Sequence, residues 1–445
     1  MAPLKVLIVG GGISGPALGY WLSKLDCDIT IVERSPDLRA SGQQIDIRGQ
    51  GLTAMRRMGL EPAVREKVVH EHGLKFIDER GNVKALFEAN LSGKGRQSFT
   101  AEFEIMRGDL VRILYAATKE KCTYIFGTTI EDFEQHGDGV HVKLSNGTEG
   151  DFDLLVGADG QNSKTRRKLR GPDQDDAFHD LKLFISYFTV PKTEKDENYA
   201  RVLLLPRRRL IATRVDNPKT MQVYLGILDP NDELTELEEA MKSGDAKKQK
   251  QIYADQFRGA GWEVPRLMEG MLHSTEADDF YSQKVGQVKM SNWAKGRVVL
   301  LGDAGYCASP VSGIGTSLGL VGPYVLAGEI SRQLNHQQQS GSATSQDHGR
   351  AIDVALESYE AVFRPFVTQC QKLRPGVPSM AYADGEWGVW LRQVVLGLIS
   401  TLRLHKLIER FSSDEFGGGW KLPDYPELKY EYGSTTGAMN GLNHQ

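Results

Sequence analysis

The sequence predicts an α/β fold in three parts: a parallel-sheet nucleotide-binding domain, an antiparallel β-rich domain and a helical C-terminal segment. Three observations carry that prediction. The apolar run Lys5–Val9 enters Gly10-Gly-Gly-Ile-Ser-Gly15, continues into a helix-like stretch, Pro16–Lys24, and is followed by a second apolar run, Asp28–Val32, that ends on Glu33-Arg34. Two later apolar runs, Phe152–Val156 and Gly296–Leu301, also end in glycine-acid turns, Gly157-Ala-Asp-Gly160 and Gly302-Asp303. Between them, from about residue 178 to 285, β-rich pieces alternate with turns, the pattern of an antiparallel sheet.

The first unit is a Rossmann-like strand, turn, helix and strand with an acid at the tip of its second strand. Gly10 permits the tight turn, Gly12 lets a pyrophosphate approach the backbone, and Gly15 lets the helix pack on the strand. Ile13 and Ser14 sit where the helix N-terminus offers free N–H groups and the positive end of its dipole to phosphates. Glu33 is placed to accept from ribose hydroxyls, and Arg34 either stacks on adenine or stays solvated. The unit binds a dinucleotide, but NAD(P) and FAD proteins share it.

At 445 residues the chain exceeds one compact core. With 40% hydrophobic residues, 25% charged residues and a net charge of -4, it has no basic surface of the kind that binds nucleic acid. Cys27, Cys122, Cys307 and Cys370 are widely spaced, which suggests a reducing compartment and neither a disulfide framework nor a metal site. The N-terminus enters a strand at once, leaving no room for a signal peptide, and Val394–Leu402 is far short of a membrane span. A soluble, cytoplasmic protein is expected.

Taken in order, Gly51–Met58 reads as a helix ending at Gly59. Residues 72–106 have hairpin character, with Gly73, Gly81, Gly93 and Gly95 between short apolar pieces. Glu104–Leu114 reads as a helix, residues 123–152 as strands, and Ser163–Leu169 as a basic helix. Leu181–Val190, Arg201–Leu205, Leu210–Val215 and Met221–Leu228 read as strands, followed by helices over about 235–243 and 246–258. After the third glycine-acid turn a helix runs to about Leu334, and Asn335–Gly349, rich in Gln and Ser, reads as an exposed connector. Ala351–Leu373 is helical despite Pro365, and Glu386–Phe411 is a last helix with a broad apolar face. The nucleotide-binding domain is expected over 1–72, 104–178 and 286–370, the β-rich domain over 73–103 and 179–285, and the helical segment over 371–445.

A nicotinamide dehydrogenase needs one glycine-acid turn; three suit a long flavin cofactor whose phosphates, ribityl chain and ring need separate supports. In that order and rough spacing, the turns resemble the single-component FAD-dependent monooxygenases of the p-hydroxybenzoate hydroxylase type. The match rests on Gly10–Gly15, on Gly157–Gly160 with Ser163 and Arg166, and on Gly302-Asp303 with Pro310, Gly313 and Gly315. Arg107, in Met106-Arg-Gly-Asp-Leu110, matches the family's Arg-x-x-Leu, and Gln43–Gly51 looks like a loop of the tetracycline-inactivating branch.

The resemblance implies a glutathione-reductase-like FAD-binding domain facing an antiparallel substrate domain. It implies FAD contacts from Gly10, Gly12, Ile13, Ser14, Gly15, Glu33, Arg34, Arg107, Asp159, Gly302 and Asp303, the last toward a ribityl hydroxyl. Asp46, Pro310, Gly313 and Gly315 are expected to line the flavin ring, where the cofactor, not a side-chain nucleophile, does the chemistry. NADH or NADPH would reduce FAD, and O2 would form a flavin C4a-hydroperoxide that oxygenates a hydrophobic, aromatic or polycyclic small molecule. The sequence departs from the family at Tyr306, where many members have His two residues after Asp-Ala, and at Thr316-Ser317, where many have Asn.

Several of these residues have plainer readings. Asp303 can cap a helix, an Asp-Gly turn such as Asp159-Gly160 needs no ligand, and Arg107 can pair with Asp109 or Glu104. Tyr306 reaches the active site or fills the core, Cys307 packs, and Arg207-Arg-Arg209 makes a polar hairpin turn. Arg214 and Tyr224 are substrate-contact candidates on the β-rich domain. The last helix braces the two domains by preference, with a membrane surface (through Arg392, Arg403, His405 and Lys406) or a dimer partner as alternatives. An FAD oxidase or dehydrogenase without oxygen insertion, or a non-catalytic flavin-bound sensor, competes with the monooxygenase reading.

Overall fold

Apolar runs without polar interruption become strands buried on both faces, and the chain builds its central sheet from them. The computed structural model describes residues 3–38, 42–69, 71–89, 103–171, 176–215, 217–340, 345–404 and 419–428. The chain runs through β1 (Leu4–Val9), α1 (Ser14–Leu22), β2 (Cys27–Glu33), β3 (Gln44–Asp46), α2 (Gln50–Arg57) and α3 (Glu61–Arg65). Then come β4 (Gly73–Ile77), β5 (Val83–Glu88), β6 (Glu104–Met106), α4 (Arg107–Thr118) and β7 (Thr123–Phe126). The middle holds β8 (Ile130–His136), β9 (Gly139–Leu144), β10 (Glu149–Phe152), β11 (Leu154–Gly157), α5 (Lys164–Arg170), β12 (Phe178–Pro191), β13 (Ala200–Leu205), β14 (Arg209–Arg214) and β15 (Thr220–Leu228). The remainder is α6 (Thr235–Ser243), α7 (Ala246–Phe257), α8 (Val264–His273), β16 (Tyr281–Val288), β17 (Ala294–Lys295), β18 (Val298–Leu300), α9 (Asp303–Tyr306), α10 (Gly315–Ser340), α11 (Ser345–Cys370) and α12 (Glu386–Thr401).

A six-stranded sheet has the order β17-β18-β11-β1-β2-β7, parallel except for β17. Val9 lies beside Gly157, and Gly157 beside Leu300, so three distant segments end at one level. Helices α1, α10 and α11 pack in the same core, where Trp21, Tyr324, Tyr359 and Phe363 are fully buried. A seven-stranded sheet, β16-β12-β15-β14-β13-β4-β5, is antiparallel except for the β13–β4 pair. One of its faces buries Phe184, Leu203, Ile211 and Leu225 with Tyr253, Phe257 and Leu267 of α7 and α8. On the other face Tyr187, Val202, Ala212 and Tyr224 line a cleft shared with the six-stranded sheet, while Tyr382 covers Leu183 and Leu228.

Several local expectations need correction. Glu104–Met106 is strand, paired antiparallel with β3, and the helix starts only at Arg107. Helix α8, which the sequence reading missed, carries Pro265 in its first turn, where proline costs no hydrogen bond. The supposed connector 335–349 is largely helix, because α10 continues to Ser340 and α11 begins at Ser345. Gly93 and Gly95, and the far end of the last helix with His405 and Lys406, lie outside the described residues.

Among the described residues helix α12 packs mainly to one side, contrary to the favoured reading of a brace between the two domains. It lies on the edge strand β5 and on β13, both in the seven-stranded sheet. Gly397 comes so close to β5 that a Cβ there would stand 2.9 Å from the Lys84 carbonyl oxygen. Ser400 Oγ donates to Leu86 O (2.6 Å) and accepts from Leu86 N (3.1 Å), so the helix closes a sheet edge. Trp387, Trp390, Leu391 and Leu398 consequently face outward.

Candidate active site

The three glycine-acid turns leave the carboxyl ends of β1, β11 and β18, which are neighbours in the sheet. A ligand binds beyond the strand ends of such sheets. They open on one cleft of 640 Å³ whose opposite wall is the seven-stranded sheet. Of the residues expected at the site, all but Gly15 and Gly302 line it.

Those two stand behind the wall for steric reasons. A Cβ on Gly15 would lie 2.0 Å from Gly10 O, and one on Gly302 would lie 2.4 Å from Ser14 Oγ. Gly10, at φ +119°, would place a Cβ 2.4 Å from Ala158 O, so the first two turns touch. Gly12 differs: the nearest atom to a Cβ there is Arg107 Nη2, at 3.4 Å. Around Gly313 (φ +66°) and Gly315 a Cβ would meet nothing within 4 Å. Space is held open beside these three backbones, as a ligand in contact with them requires.

The acids take different parts. Glu33 accepts from Gly11 N through Oε2 (2.8 Å) and from Ser35 N through Oε1 (2.9 Å), which fixes the carboxylate at the tip of β2 with lone pairs to spare. Asp159 turns its carboxylate into the start of α5. It accepts from Ser163 Oγ (2.5 Å) and from Thr165 N and Oγ1 (3.1 Å each), while Ser163 Oγ caps Arg166 N at 2.8 Å. Asp303 is the first residue of α9, whose N-cap is Gly302, and it is exposed to the lumen. Protein surrounds that part of the lumen closely, and the resulting desolvation raises its carboxyl above the usual range, against Cys307 and Arg107.

Arg107 lies beside Gly12 and Gly42, while Asp109 pairs with Arg112. Arg166, fully buried, donates to Gln161 O (2.7 Å), Ala304 O (3.0 Å) and both Asp176 oxygens. It thereby ties the loop after β11 to the helix after β18. Asp46 is held by Arg48 at 2.6 Å. Ser317, one of the departures from the family, locks that loop down: its Oγ accepts from Arg48 N and donates to Arg48 O, each at 2.9 Å. The other departure, Tyr306, is core; its hydroxyl accepts from Tyr359 Oη at 3.0 Å. Cys307 is buried against Gly286 O, and desolvation raises its thiol well above the usual range.

On the opposite wall Tyr187 packs edge-on against Tyr224 (centroids 5.1 Å apart) and is stacked on Tyr281 (6.3 Å). Arg214 meets Glu71 and Glu104 there. The walls are joined where Gln222 Nε2 donates to Gly42 O (3.2 Å) and Gln44 N donates to Tyr224 Oη (3.2 Å). Sequence reasoning missed Glu71, Glu104, Gln44, Tyr187 and Tyr281, since no spacing marks side chains that meet only across a fold. Arg207 and Arg208 form the β13–β14 turn, both at positive φ.

A parallel sheet with three ligand-facing turns, set against an antiparallel sheet across a cleft, defines a dinucleotide-binding protein with room for a second ligand opposite. A family model described as FAD binding domain matches residues 3–358, and the chain belongs to that family. It is 42% identical over 439 residues to the FAD-dependent monooxygenase asL4 of Sarocladium schorii, covering 97% of this chain and 100% of the relative. It is 39% identical over 416 residues to the flavin-dependent monooxygenase eupH of a Phoma species, covering 91% and 94%. The crystal structure of the tetracycline destructase Tet(51) superposes with a TM-score of 0.71 at 28% identity, covering 96% of this chain and 100% of that one. The chain is an FAD-dependent monooxygenase. Among the described residues no helix is long and apolar enough to cross a membrane.

Proposed function

We propose that the enzyme oxygenates a flat, hydrophobic, aromatic or polycyclic small molecule held against the seven-stranded sheet, with FAD along the ends of β1, β11 and β18. One observation carries the reading: the three turns and the Tyr187, Tyr224, Tyr281 group face each other across one cleft. We assign 1–72, 104–178 and 286–370 to the cofactor half and 73–103 and 179–285 to the substrate half, with β12 and β16 of the seven-stranded sheet overrunning those bounds at Phe178 and Val288.

Bound FAD, reduced by NADH or NADPH, supplies the oxygen activation. The chain's residues bind and orient. Glu33 accepts from the adenosine ribose and Arg34 lies toward adenine. Gly10, Gly12, Ile13 and Ser14 give the pyrophosphate backbone N–H groups at the N-terminus of α1, which has no side-chain cap. Arg107, beside Gly12, balances phosphate charge. Asp303 accepts from a ribityl hydroxyl. Asp159 acts indirectly, by fixing the turn that offers its backbone, while Gly15 and Gly302 give the close packing behind. Pro310, Gly313, Gly315 and Asp46 flank the ring, and Arg214 and Tyr224 face the substrate.

The tyrosine faces and the Ala200, Val202 and Ala212 floor exclude water and favour a planar apolar body. The four cysteines are free, which fits a cytoplasmic location. Aromatic and polyketide-like compounds, screened by stimulation of NAD(P)H oxidation with an oxygenated product identified by mass, test the reading. Oxygen uptake that no compound couples to product would overturn it.

A further inference from the structure

At the seam between the two walls, more acid gathers than the arginine balances. Glu71 and Glu104 have side chains 1% and 4% exposed, and both meet Arg214. Arg214 Nε donates to Glu71 Oε1 (3.0 Å), Nη2 donates to Glu71 Oε2 (2.5 Å), and Nη2 also pairs with Glu104. Its Nη1 makes no hydrogen bond among the described residues, although the residue lines the cleft. Gln44 is 7% exposed, lines the same cleft, and neither atom of its amide has a partner among the described residues. The buried Gln44 amide and the Nη1 of Arg214, whose side chain is 20% exposed, therefore both lie on the cleft without a protein acceptor among the described residues, and a ligand oxygen there would satisfy both.

We propose that Arg214 and Gln44 form a subsite for a negatively charged oxygen of the substrate, and that Glu104 sets the charge of that subsite by holding or releasing a proton. The inference rests on the seven-stranded sheet being the substrate wall. With Glu104 protonated, Arg214 and Glu71 cancel and the free Nη1 meets an anion without opposition. With Glu104 ionised, the cluster carries one net negative charge and repels the same anion.

The groups facing Glu104 come from every element around it. Asp46 is its partner across the β3–β6 pair and is itself held by Arg48; Glu71 precedes β4, Arg214 is on β14 and Tyr224 on β15. Desolvation is the largest influence and raises the Glu104 carboxyl to about 7, with Asp46 and Glu71 adding to it and Arg214 opposing. Burial also raises the Tyr224 phenol, which stays neutral throughout. Anion affinity is therefore full below the Glu104 pKa and falls as pH rises through it, by at most about tenfold per pH unit.

The test is calorimetric titration of the FAD-loaded enzyme between about pH 5.5 and about pH 8.5 at fixed ionic strength. The probes are 2-methoxybenzoate, 2,4-dinitrophenolate and the neutral 2-methoxybenzamide, none of which titrates in that range. The expected result is about tenfold weaker anion binding at the upper end, no change for the amide, and no slope in Glu104→Gln. Whichever anion shows the slope tells whether the charged oxygen is a carboxylate or a phenolate. A slope that persists in Glu104→Gln, an equal slope for the amide, or no anion binding at any pH overturns the proposal. If Glu104→Gln does not retain FAD, the wild-type contrast between anion and amide decides alone, and equal slopes again overturn it. Binding is read without turnover, so lost NAD(P)H oxidation beside an intact slope faults the substrate reading and leaves the subsite standing.

Discussion

The two walls of the cleft present different kinds of surface. The wall of β1, β11 and β18 presents backbone: glycines with room beside them, an uncapped helix N-terminus, and acids fixed at strand ends. The wall of β12 to β16 presents side chains, three tyrosines and Arg214, and Arg214 reaches the buried Glu71 and Glu104 at the seam, where Gln44 of β3 has its amide unpartnered among the described residues. A backbone site tolerates no added Cβ and leaves a local spacing in the chain. A side-chain site tolerates many sequences, and its members need be neighbours only in space. The first wall therefore suits a fixed cofactor, and the second a ligand selected by the side chains that meet there.

The largest expected effect breaks the first wall. Gly12→Val puts a side chain into the pyrophosphate space without a clash against the fold, since the nearest atom is 3.4 Å from the new Cβ. The protein should fold and fail to retain FAD in a flavin titration. Gly15→Val, 2.0 Å from a backbone oxygen, should instead damage folding itself. Gly313→Val should keep part of the FAD affinity and lose most turnover, because φ +66° strains a branched residue and the displacement falls at the reacting centre. Normal turnover with poor FAD binding in Gly313→Val would place the ring elsewhere.

The next effect breaks the second wall. Arg214→Met leaves Glu71 and Glu104 buried without their cation, which should destabilise the fold by about 3–5 kcal/mol in urea unfolding at neutral pH. The loss should shrink as pH falls and Glu104 takes up a proton. An Arg214→Met enzyme as stable as wild type would mean that the carboxylates find other partners or water.

This contrast also explains what the sequence disclosed. Gly10, Gly12 and Gly15 are separated by fixed small intervals because one turn and one helix need all three, so the dinucleotide unit was legible at once. The adjacency of the other two turns was not legible by itself; it followed from the order of three strands that pair in parallel. Arg214 was a substrate-contact candidate from its place on a strand, but Glu71 and Glu104 lie on other segments, and nothing in their surroundings in sequence distinguishes them from surface charges. The 335–349 segment misled for a related reason. Its polar composition suits an exposed connector, yet its glutamines are good helix formers and simply extend α10.

Asp303 tests a smaller effect within the first wall. Asp303→Ala should weaken FAD binding by about 1–3 kcal/mol, the cost of losing a charged acceptor, and Asp303→Asn less. Without FAD the sign differs. The folded carboxyl is raised, so its ionisation costs stability: the contribution is full below the unfolded pKa and is lost as pH rises through the folded one. Apo Asp303→Asn should therefore melt above apo wild type at neutral pH, and the difference should vanish in acid. An equal gap at both ends would assign the effect to packing.

The smallest effect separates two acids that look alike in sequence. Asp159 and Asp303 each sit in a glycine-acid turn, but Asp159 accepts from Ser163 and Thr165 while Asp303 is exposed to the lumen. Losing the Ser163 cap should cost about 1 kcal/mol of stability, and Asp159→Asn should cost a similar amount because both belong to one network. The double variant Asp159→Asn, Ser163→Ala should then cost clearly less than the sum of the singles, as coupled neighbours do. FAD affinity should drop only a few-fold in Asp159→Asn, by the displacement of a turn and not by the loss of a direct acceptor. Parallel FAD titrations and thermal melts of Asp159→Asn and Asp303→Asn read the contrast. Additive melting losses, together with an FAD defect in Asp159→Asn as large as that of Asp303→Ala, would show that Asp159 meets the cofactor directly and that the two turns serve one purpose.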